Sequence, residues 1–339
     1  MRQAVLLGEP GTKRTEYFRR AAELEGLSFS FLAWKDYKEG IRRLSGERIL
    51  LKIDPPKWES CLLKELNDLT EDYKRRLEEI TLMAKSQDIE FFNHPSGILS
   101  LLDKVKCKNM LLRAGVRVTE SLNEPCKDIE HLLALMESRK ICQVFVKPVN
   151  GSGAAGVSAF RLQPKRRRMA LYTCAFLHPQ KGLVNTKRLR CFSDPEDIFP
   201  LLRKILGLGC IVERWYAKAQ YGQASYDLRA VVQEGKTDFL LARLSKGPVT
   251  NLQLNNRPLA IEELKIPAKI QEQIMDLCNR AMDCYPQLKS AGIDILLEKG
   301  SLKPRIIEMN GQGDLIYQDI YADNLIYRRQ AGIIKRIGE

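Results

Sequence analysis

Two short segments limit what this chain can fold into. Val144-Phe-Val-Lys-Pro-Val-Asn-Gly-Ser-Gly-Ala-Ala-Gly156 is an apolar, strand-like run that ends in a lysine and opens into a glycine-rich loop. Gly292-Ile-Asp-Ile-Leu296 and Ile306-Ile-Glu-Met-Asn310 are two more apolar runs, each interrupted by hard oxygen ligands. Side chains alternate along a strand, so Glu308 and Asn310 share one face. The interval back to Asp294 suits an antiparallel hairpin turning at Lys299-Gly300. Burying a carboxylate among isoleucines without a cation is costly, which favours a metal role over a strand-end role. Two carboxylates and an amide oxygen suit magnesium and leave positions for phosphate oxygens.

The glycine loop supplies the other half of a triphosphate site. Glycines let backbone N–H groups approach phosphate oxygens because no Cβ intervenes. Gly151, Gly153 and Gly156, with Ser152 between them, suit that task, and Lys147 at the strand exit can place a point charge on a non-terminal phosphate. The turn Gly8-Glu-Pro-Gly-Thr-Lys13 lacks the four-residue interval of a Walker loop and reads as a strand-to-helix turn.

Composition excludes several classes. At 339 residues and 44% hydrophobic content, the chain is long enough for two or three domains. No apolar run approaches a membrane span, and the N-terminal apolar stretch is too short for a signal peptide. Nine scattered cysteines without a Cys-x-x-Cys pair, and three histidines, argue for a reducing cytoplasmic setting and against disulfides or zinc. The net charge of +13 is concentrated between Gly151 and Ser193, where nine Lys or Arg occur with no Asp or Glu. Such a run reads first as a solvated basic hairpin; starting at the phosphate loop, it also suits a field that attracts a nucleotide or an acidic substrate. Nucleic acid is disfavoured because the run has little aromatic interleaving and no recognisable binding module.

The pattern predicts strand Ala4–Leu7, a helix near Thr15–Glu25 and strand Ile49–Ile53 at the start of an open α/β sheet. A charged helical stretch over 59–87, a short strand Glu90–Phe92, and one amphipathic helix Leu99–Ala114 ended by Gly115 follow. Helices are expected at Asp128–Ser138, near Asp194–Leu206 and at Pro267–Asp283. Strands are expected at Gln143–Lys147, Cys210–Tyr216, Asp227–Gln233, Phe239–Leu244, 292–298 and 304–309.

In this order the motifs resemble the ATP-grasp superfamily, from about Asn93 to Asn310. Lys104, in Asp-Lys followed six residues later by Leu-Leu, is similar to that family's first phosphate-contacting lysine, and Lys147 to the second. Gly151–Gly156 resembles its mobile phosphate loop. Ile211-Val-Glu-Arg-Trp-Tyr216 resembles its interdomain adenine strand, which makes Glu213, Arg214, Trp215 and Tyr216 candidate nucleotide contacts. Asp294, Glu308 and Asn310 fall on its three magnesium ligands. Tyr226-Asp-Leu-Arg229, Ala242-Arg243 and Thr250-Asn251-Leu252 are similar to the branch holding ribosomal-protein glutamate ligases, and Ile53-Asp-Pro-Pro56 resembles glutathione synthetase.

The resemblance implies an α/β (α+β) ATP-grasp fold: an N-terminal open α/β domain at 1–98, a central subdomain with the phosphate loop and basic lid at 99–210, and a C-terminal subdomain with the metal site at 211–339. It implies ATP and Mg2+ (Mn2+ as a substitute), a carboxylate donor activated as an acyl phosphate, and an amine acceptor. Arg229, Arg243 and Asn251 are its candidate catalytic residues. The basic lid favours an acidic amino acid or peptide as donor, and no membrane partner is expected. The alternative is a non-catalytic ATP-binding module. Two departures stand out: Gly311-Gln-Gly-Asp314 replaces the Ser-Pro-Gly usual after the last ligand, and position 292 is glycine where D-alanine–D-alanine ligases carry an arginine. Tyr317, Tyr321 and Tyr327 line an acceptor cleft or, more commonly for such spacing, pack a core.

Overall fold

The structure, a computed structural model, describes residues 2–44, 46–57, 60–122, 126, 128–150, 153–163, 168–254, 256–313 and 324–339. Among the described residues, three sheets follow one another along the chain. The first is parallel, in the order β2-β1-β3-β4: β1 (Gln3–Gly8), β2 (Phe29–Ala33), β3 (Ile49–Ile53) and β4 (Ile89–Phe91). Parallel strands need crossovers. These are α1 (Lys13–Glu25), a short α2 (Tyr37–Arg43) and the 22-residue α3 (Leu63–Ala84). Thr12 caps α1 by accepting from the Thr15 N–H, and Gly26 ends it in the left-handed conformation at φ 63°. β2 and α2 go beyond the sequence expectation, because Phe29-Ser-Phe-Leu-Ala33 is too short to carry a distinct period.

The expected single helix at Leu99–Ala114 is two helices, α4 (Pro95–Leu102) and α5 (Lys104–Arg113). Asp103 breaks the run. Its backbone is extended (φ −93°, ψ 98°) and its side chain accepts from the N–H groups of Val105 and Lys106. That cap satisfies the first donors of α5 and makes Lys104 its first residue.

The second sheet is antiparallel, in the order β8-β7-β6-β5-β9: β5 (Gln143–Pro148), β6 (Ser158–Gln163), β7 (Arg168–His178), β8 (Gly182–Phe192) and β9 (Cys210–Arg214). The described part of the basic run thus builds strands, with Arg161 over the Trp215 ring and Arg190 over Phe176, while Lys165, Arg166 and Arg167 lie outside the described residues. α6 (Ile129–Ser138) and α7 (Pro195–Leu206) cover this sheet and share its core with Val144, Val146 and Phe160. β8 reaches back to the first unit: the Asn185 N–H donates to Cys61 O at 2.7 Å.

The third sheet is antiparallel, in the order β13-β12-β11-β14-β15, with β10 (Gln220–Tyr221) on β11 (Ala224–Gln233); the others are β12 (Lys236–Ser245), β13 (Arg257–Ala260), β14 (Ser290–Leu297) and β15 (Pro304–Asn310). α8 (Ala268–Asp283) packs on it. The largest apolar cluster runs from Val5 and Ile53 of the first sheet to Leu228 and Ile293 of the third. α9 (Leu325–Gly338) returns against α1, burying Tyr327 beside Tyr17 with ring centroids 5.9 Å apart. Tyr327 is therefore core; Tyr317, Tyr321 and Asp314 lie outside the described residues.

Candidate active site

Register decides which side chains of the third sheet meet. Asp227 stands opposite Arg243, Arg229 opposite Asp294, Asp294 opposite Glu308, and Gly292 opposite Asn310. Directly opposed residues share a face, so this alternation gathers six polar side chains on one side while Leu228, Ala230, Ile293 and Ile295 fill the other. A register shift after Asp294 bulges β15, and the β14–β15 hairpin turns through 298–303, where Gly300 holds φ 86°.

That polar face is one wall of a cavity of about 1030 Å³. The opposite wall comes from the second sheet and its loops: Phe145, Lys147, Gly153, Ala154 and Glu213. Lys104 enters from the start of α5, and Arg214 and Tyr216 border one region of the cavity. Arg214 and Arg305 stack on the Tyr216 ring at 5.6 and 4.6 Å. The strand-to-helix turn also contributes, since Glu9, Thr12 and Lys13 line the cavity with Arg14 and Asp54.

Three clusters organise its charge. Glu213, 2% exposed, receives Lys147 Nζ at 2.9 Å, Lys108 Nζ at 2.7 Å and the Thr119 hydroxyl at 2.8 Å. Burial alone would raise its carboxyl, but the two ammoniums outweigh that and hold it down at about 2. Lys104 donates to Val149 O at 3.2 Å, and burial lowers its ammonium's pKa against the pull of Glu308. Asp227 is gripped by Arg243 at 2.7 Å, by the Thr250 hydroxyl, and by Lys218 at 3.4 Å. Burial lowers the pKa of Lys218, and Asp227 raises it.

The third cluster carries the candidate metal ligands. Asp294 Oδ2 meets Arg243 Nη2 at 3.1 Å, and Oδ1 lies 2.5 Å from Arg229 Nε. The latter contact lacks hydrogen-bond geometry, so among the described residues neither the buried Oδ1 nor Arg229 Nε has a hydrogen-bond partner. A buried carboxylate oxygen without a donor is an expensive arrangement that a cation would relieve. Among the described residues no group of three or more His, Cys, Asp or Glu could hold a metal. The set here is two carboxylates and the Asn310 amide, and an all-oxygen set of that kind fits Mg2+ and not zinc.

Several residues depart from expectation. Trp215 does not border the cavity: it packs on Phe145 at 5.4 Å, and its N–H and C=O are taken by Gln143 O and Gln143 Nε2. Gly156 also lies off the cavity, held at φ 68° against Pro148, with its N–H donated to Asn185 Oδ1 at 3.1 Å. Gly153 does border it, at φ 63°, and a Cβ there would fall 2.0 Å from Gln253 Oε1. Gly151 and Ser152 lie outside the described residues. Asn251 lines the cavity while its Oδ1 accepts the Gln253 N–H at 2.9 Å.

The two departures from the family motif explain each other. A Cβ on Gly292 would lie 2.0 Å from Gly313 O and 2.5 Å from Arg229 Nη1, so Arg229 occupies the space a larger residue at 292 would need. Arg229 Nη1 in turn donates to Gly313 O at 3.2 Å. Gln312 ties the same loop to the first unit, accepting from the Tyr73 hydroxyl at 2.9 Å and donating to Ile53 O at 2.7 Å.

Sequence reasoning passed over Lys108, Lys218, and the buried ion pair of Lys52 with Asp54. Lys108 stands four residues after Lys104 on one helix face, a spacing that could have drawn attention to it. The other two needed the tertiary fold.

Neither protein-family models nor curated protein sequences give a match to the chain. Solved structures do. The ATP-grasp ligase PsnB, complexed with a minimal precursor, superposes with a TM-score of 0.61 over 99% of both chains at 15% identity. The macrocyclase MdnC from Microcystis aeruginosa MRC, bound with precursor peptide MdnA, gives 0.59 at 11% identity over 98% of this chain and 100% of its own. D-alanine–D-alanine ligase from Bacillus anthracis, complexed with ATP, gives 0.57 at 12% identity over 100% of this chain and 96% of its own. At these identities the likeness speaks for architecture, and over nearly its whole length this chain has the ATP-grasp fold.

Proposed function

We propose that this protein is an ATP-dependent ligase that activates a carboxylate as an acyl phosphate for attack by an amine. The observation that carries the reading is the convergence on one cavity of Lys104 and Lys147 with Asp294, Glu308 and Asn310 facing them. No simpler function calls for buried ammoniums and carboxylates on opposing walls of so large a cleft. Structural neighbours that include ATP-grasp ligases, one of them complexed with Mg and ADP, support the same reading.

In this scheme Lys104 and Lys147 hold the phosphates while Glu213, Arg214 and Tyr216 border the base. Asp294, Glu308 and Asn310 hold Mg2+, which when bound neutralises charge on the β- and γ-phosphates. A carboxylate oxygen of the donor attacks the γ-phosphorus and ADP leaves. The amine nitrogen then attacks the acyl carbon, loses a proton, and phosphate departs with the donor's oxygen. Positioning and electrostatics supply the catalysis, so no protein nucleophile is needed. Arg229 and Arg243, both on Asp294, stabilise charge on the acyl phosphate and the tetrahedral intermediate; Asn251 orients the acceptor. With domain limits 1–98, 99–210 and 211–339, the first and third sheets fall within the first and last domains, while β9 carries the second sheet across the 210/211 limit.

For substrates, we infer an acidic amino acid or peptide donor. Lys13, Arg14, Lys57 and Lys187 all border the cavity, and peptide precursors occupy PsnB and MdnC. The Asp227–Arg229, Arg243 and Asn251 motifs favour the glutamate-ligase branch. The test is ADP release with ATP and Mg2+ over a panel of carboxylates and amines that includes acidic peptides. Release that requires one donor–acceptor pair supports the reading; tight ATP binding with no release from any pair favours a binding module.

A further inference from the structure

Behind Glu213, off the main cavity, lies a lysine that no motif singled out. Lys108 sits one turn after Lys104 on α5, with its side chain 6% exposed. Its ammonium has three partners: it donates to Thr119 O at 3.0 Å and Thr119 Oγ1 at 2.7 Å, and it pairs with Glu213 Oε1 at 2.7 Å. The Thr119 hydroxyl continues the chain by donating to Glu213 Oε2 at 2.8 Å. Lys147 differs. Among the described residues its one hydrogen bond goes to that same Oε2, at 2.9 Å, and it borders the cavity where Lys108 does not. One carboxylate thus serves two ammoniums, one with three partners and one with donors in reserve.

We propose that Lys108 is a positioning residue: a standing counter-ion that keeps Glu213 charged and in place when Lys147 exchanges it for a nucleotide phosphate. This rests on the nucleotide reading given above. A phosphate arriving at Lys147 competes with Glu213 for its hydrogens. If Lys147 were the only cation on Glu213, its departure would strand a buried carboxylate, the most expensive way to break such a pair. With Lys108 paired to Oε1 and the Thr119 hydroxyl donating to Oε2, both oxygens keep a partner after Lys147 turns away. Lys108 and Lys147 together also carry more positive charge than Glu213 can neutralise, and that surplus attracts a polyphosphate.

The experiment compares Kd values for ATP and for adenosine by calorimetry with Mg2+ present, in wild type, Lys108→Met, Glu213→Gln and the double variant. Lys108→Met should weaken ATP about tenfold or more, the effect of one poorly compensated buried charge. Adenosine, which has no phosphate to call Lys147 away, should change by less than about twofold on the same scale. In the Glu213→Gln background, adding Lys108→Met should leave the ATP affinity within about threefold, because Lys108 acts only through that carboxylate. Unchanged ATP binding in Lys108→Met would overturn the proposal, as would equal losses for ATP and adenosine, which indicate general damage. A tenfold loss that persists in the Glu213→Gln background would overturn it too, since Lys108 would then touch phosphate directly. Should Lys108→Met not fold, the comparison of the double variant with Glu213→Gln, in which no buried carboxylate is stranded, decides alone. Absence of ATP binding by the wild type would instead refute the nucleotide reading itself.

Discussion

Glu213→Gln removes a carboxylate that two lysines share, and its cost follows from the geometry. Lys108 and Lys147, with side chains 6% and 8% exposed, are left facing a neutral amide. Breaking a buried ion pair by removing one partner costs about 3–5 kcal/mol. The depressed pKa gives the same scale: holding the Glu213 carboxyl at about 2 instead of its ordinary 4.5 is worth about 3 kcal/mol. At roughly 2–4 °C per kcal/mol for a chain somewhat smaller than this one, Tm should fall by about 6–12 °C at pH 7. The pH dependence has a definite sign. Because the folded-state pKa is depressed, the stabilisation is complete above pH 4.5 and is lost as pH falls toward 2. The gap between wild type and variant should therefore narrow over that window, read by circular-dichroism melts at a series of pH values. A variant melting within about 2 °C of wild type at pH 7, less than 1 kcal/mol on this scale, would refute the reasoning. So would a gap that does not change down to pH 2.

Three further variants probe the site. Gly292→Ala drives a Cβ to 2.0 Å from Gly313 O, backbone that can yield only by moving the loop after Asn310; a stability loss of about 1–3 kcal/mol in urea melts is expected, and an unchanged midpoint would refute the packing argument. Asp103→Ala removes the cap that splits α4 from α5; it should cost about 1 kcal/mol and raise the KM for ATP by misplacing Lys104, whereas an unchanged KM would separate the cap from the site. Lys147→Ala should weaken ATP binding about 10- to 100-fold, as removal of a charge-assisted contact does; an equal Kd measured by calorimetry would remove Lys147 from the phosphate site.

Much of the architecture was legible because its signals are local. Alternation over Gly292–Leu296 and Ile306–Asn310 marked two strands, and the turn between them follows from Gly300 at φ 86°. Ile49–Ile53 reads as a strand from an apolar run alone, and its five residues are all buried. Asp103 was misread because an apolar period passes straight through it; only the extended backbone and the two N–H groups on its carboxylate reveal a cap. The candidate residues that share the polar face were identifiable by type, but their pairing was not. That Arg229 and Arg243 both rest on Asp294 depends on register across β11, β12 and β14, which a one-residue slip would invert. Trp215 shows the converse: its motif position suggests a nucleotide contact, whereas its ring packs on Phe145 and its backbone hydrogen bonds go to Gln143. Lys108 was missed because a lysine on a helix is ordinarily solvated, and nothing short of Thr119 and Glu213 in three dimensions marks it as buried.

The central claim, activation of a carboxylate by phosphoryl transfer, is tested most directly by following the donor's oxygen. Once the panel has identified a donor and acceptor, the donor carboxylate is labelled with 18O, and the released phosphate is analysed by mass spectrometry, with Glu308→Gln as a control expected to fold and to lose turnover. The account predicts ADP as the nucleotide product and one donor oxygen in each phosphate, because the C–O bond breaks when the amine displaces phosphate. Unlabelled phosphate, or AMP and pyrophosphate as products, would contradict it.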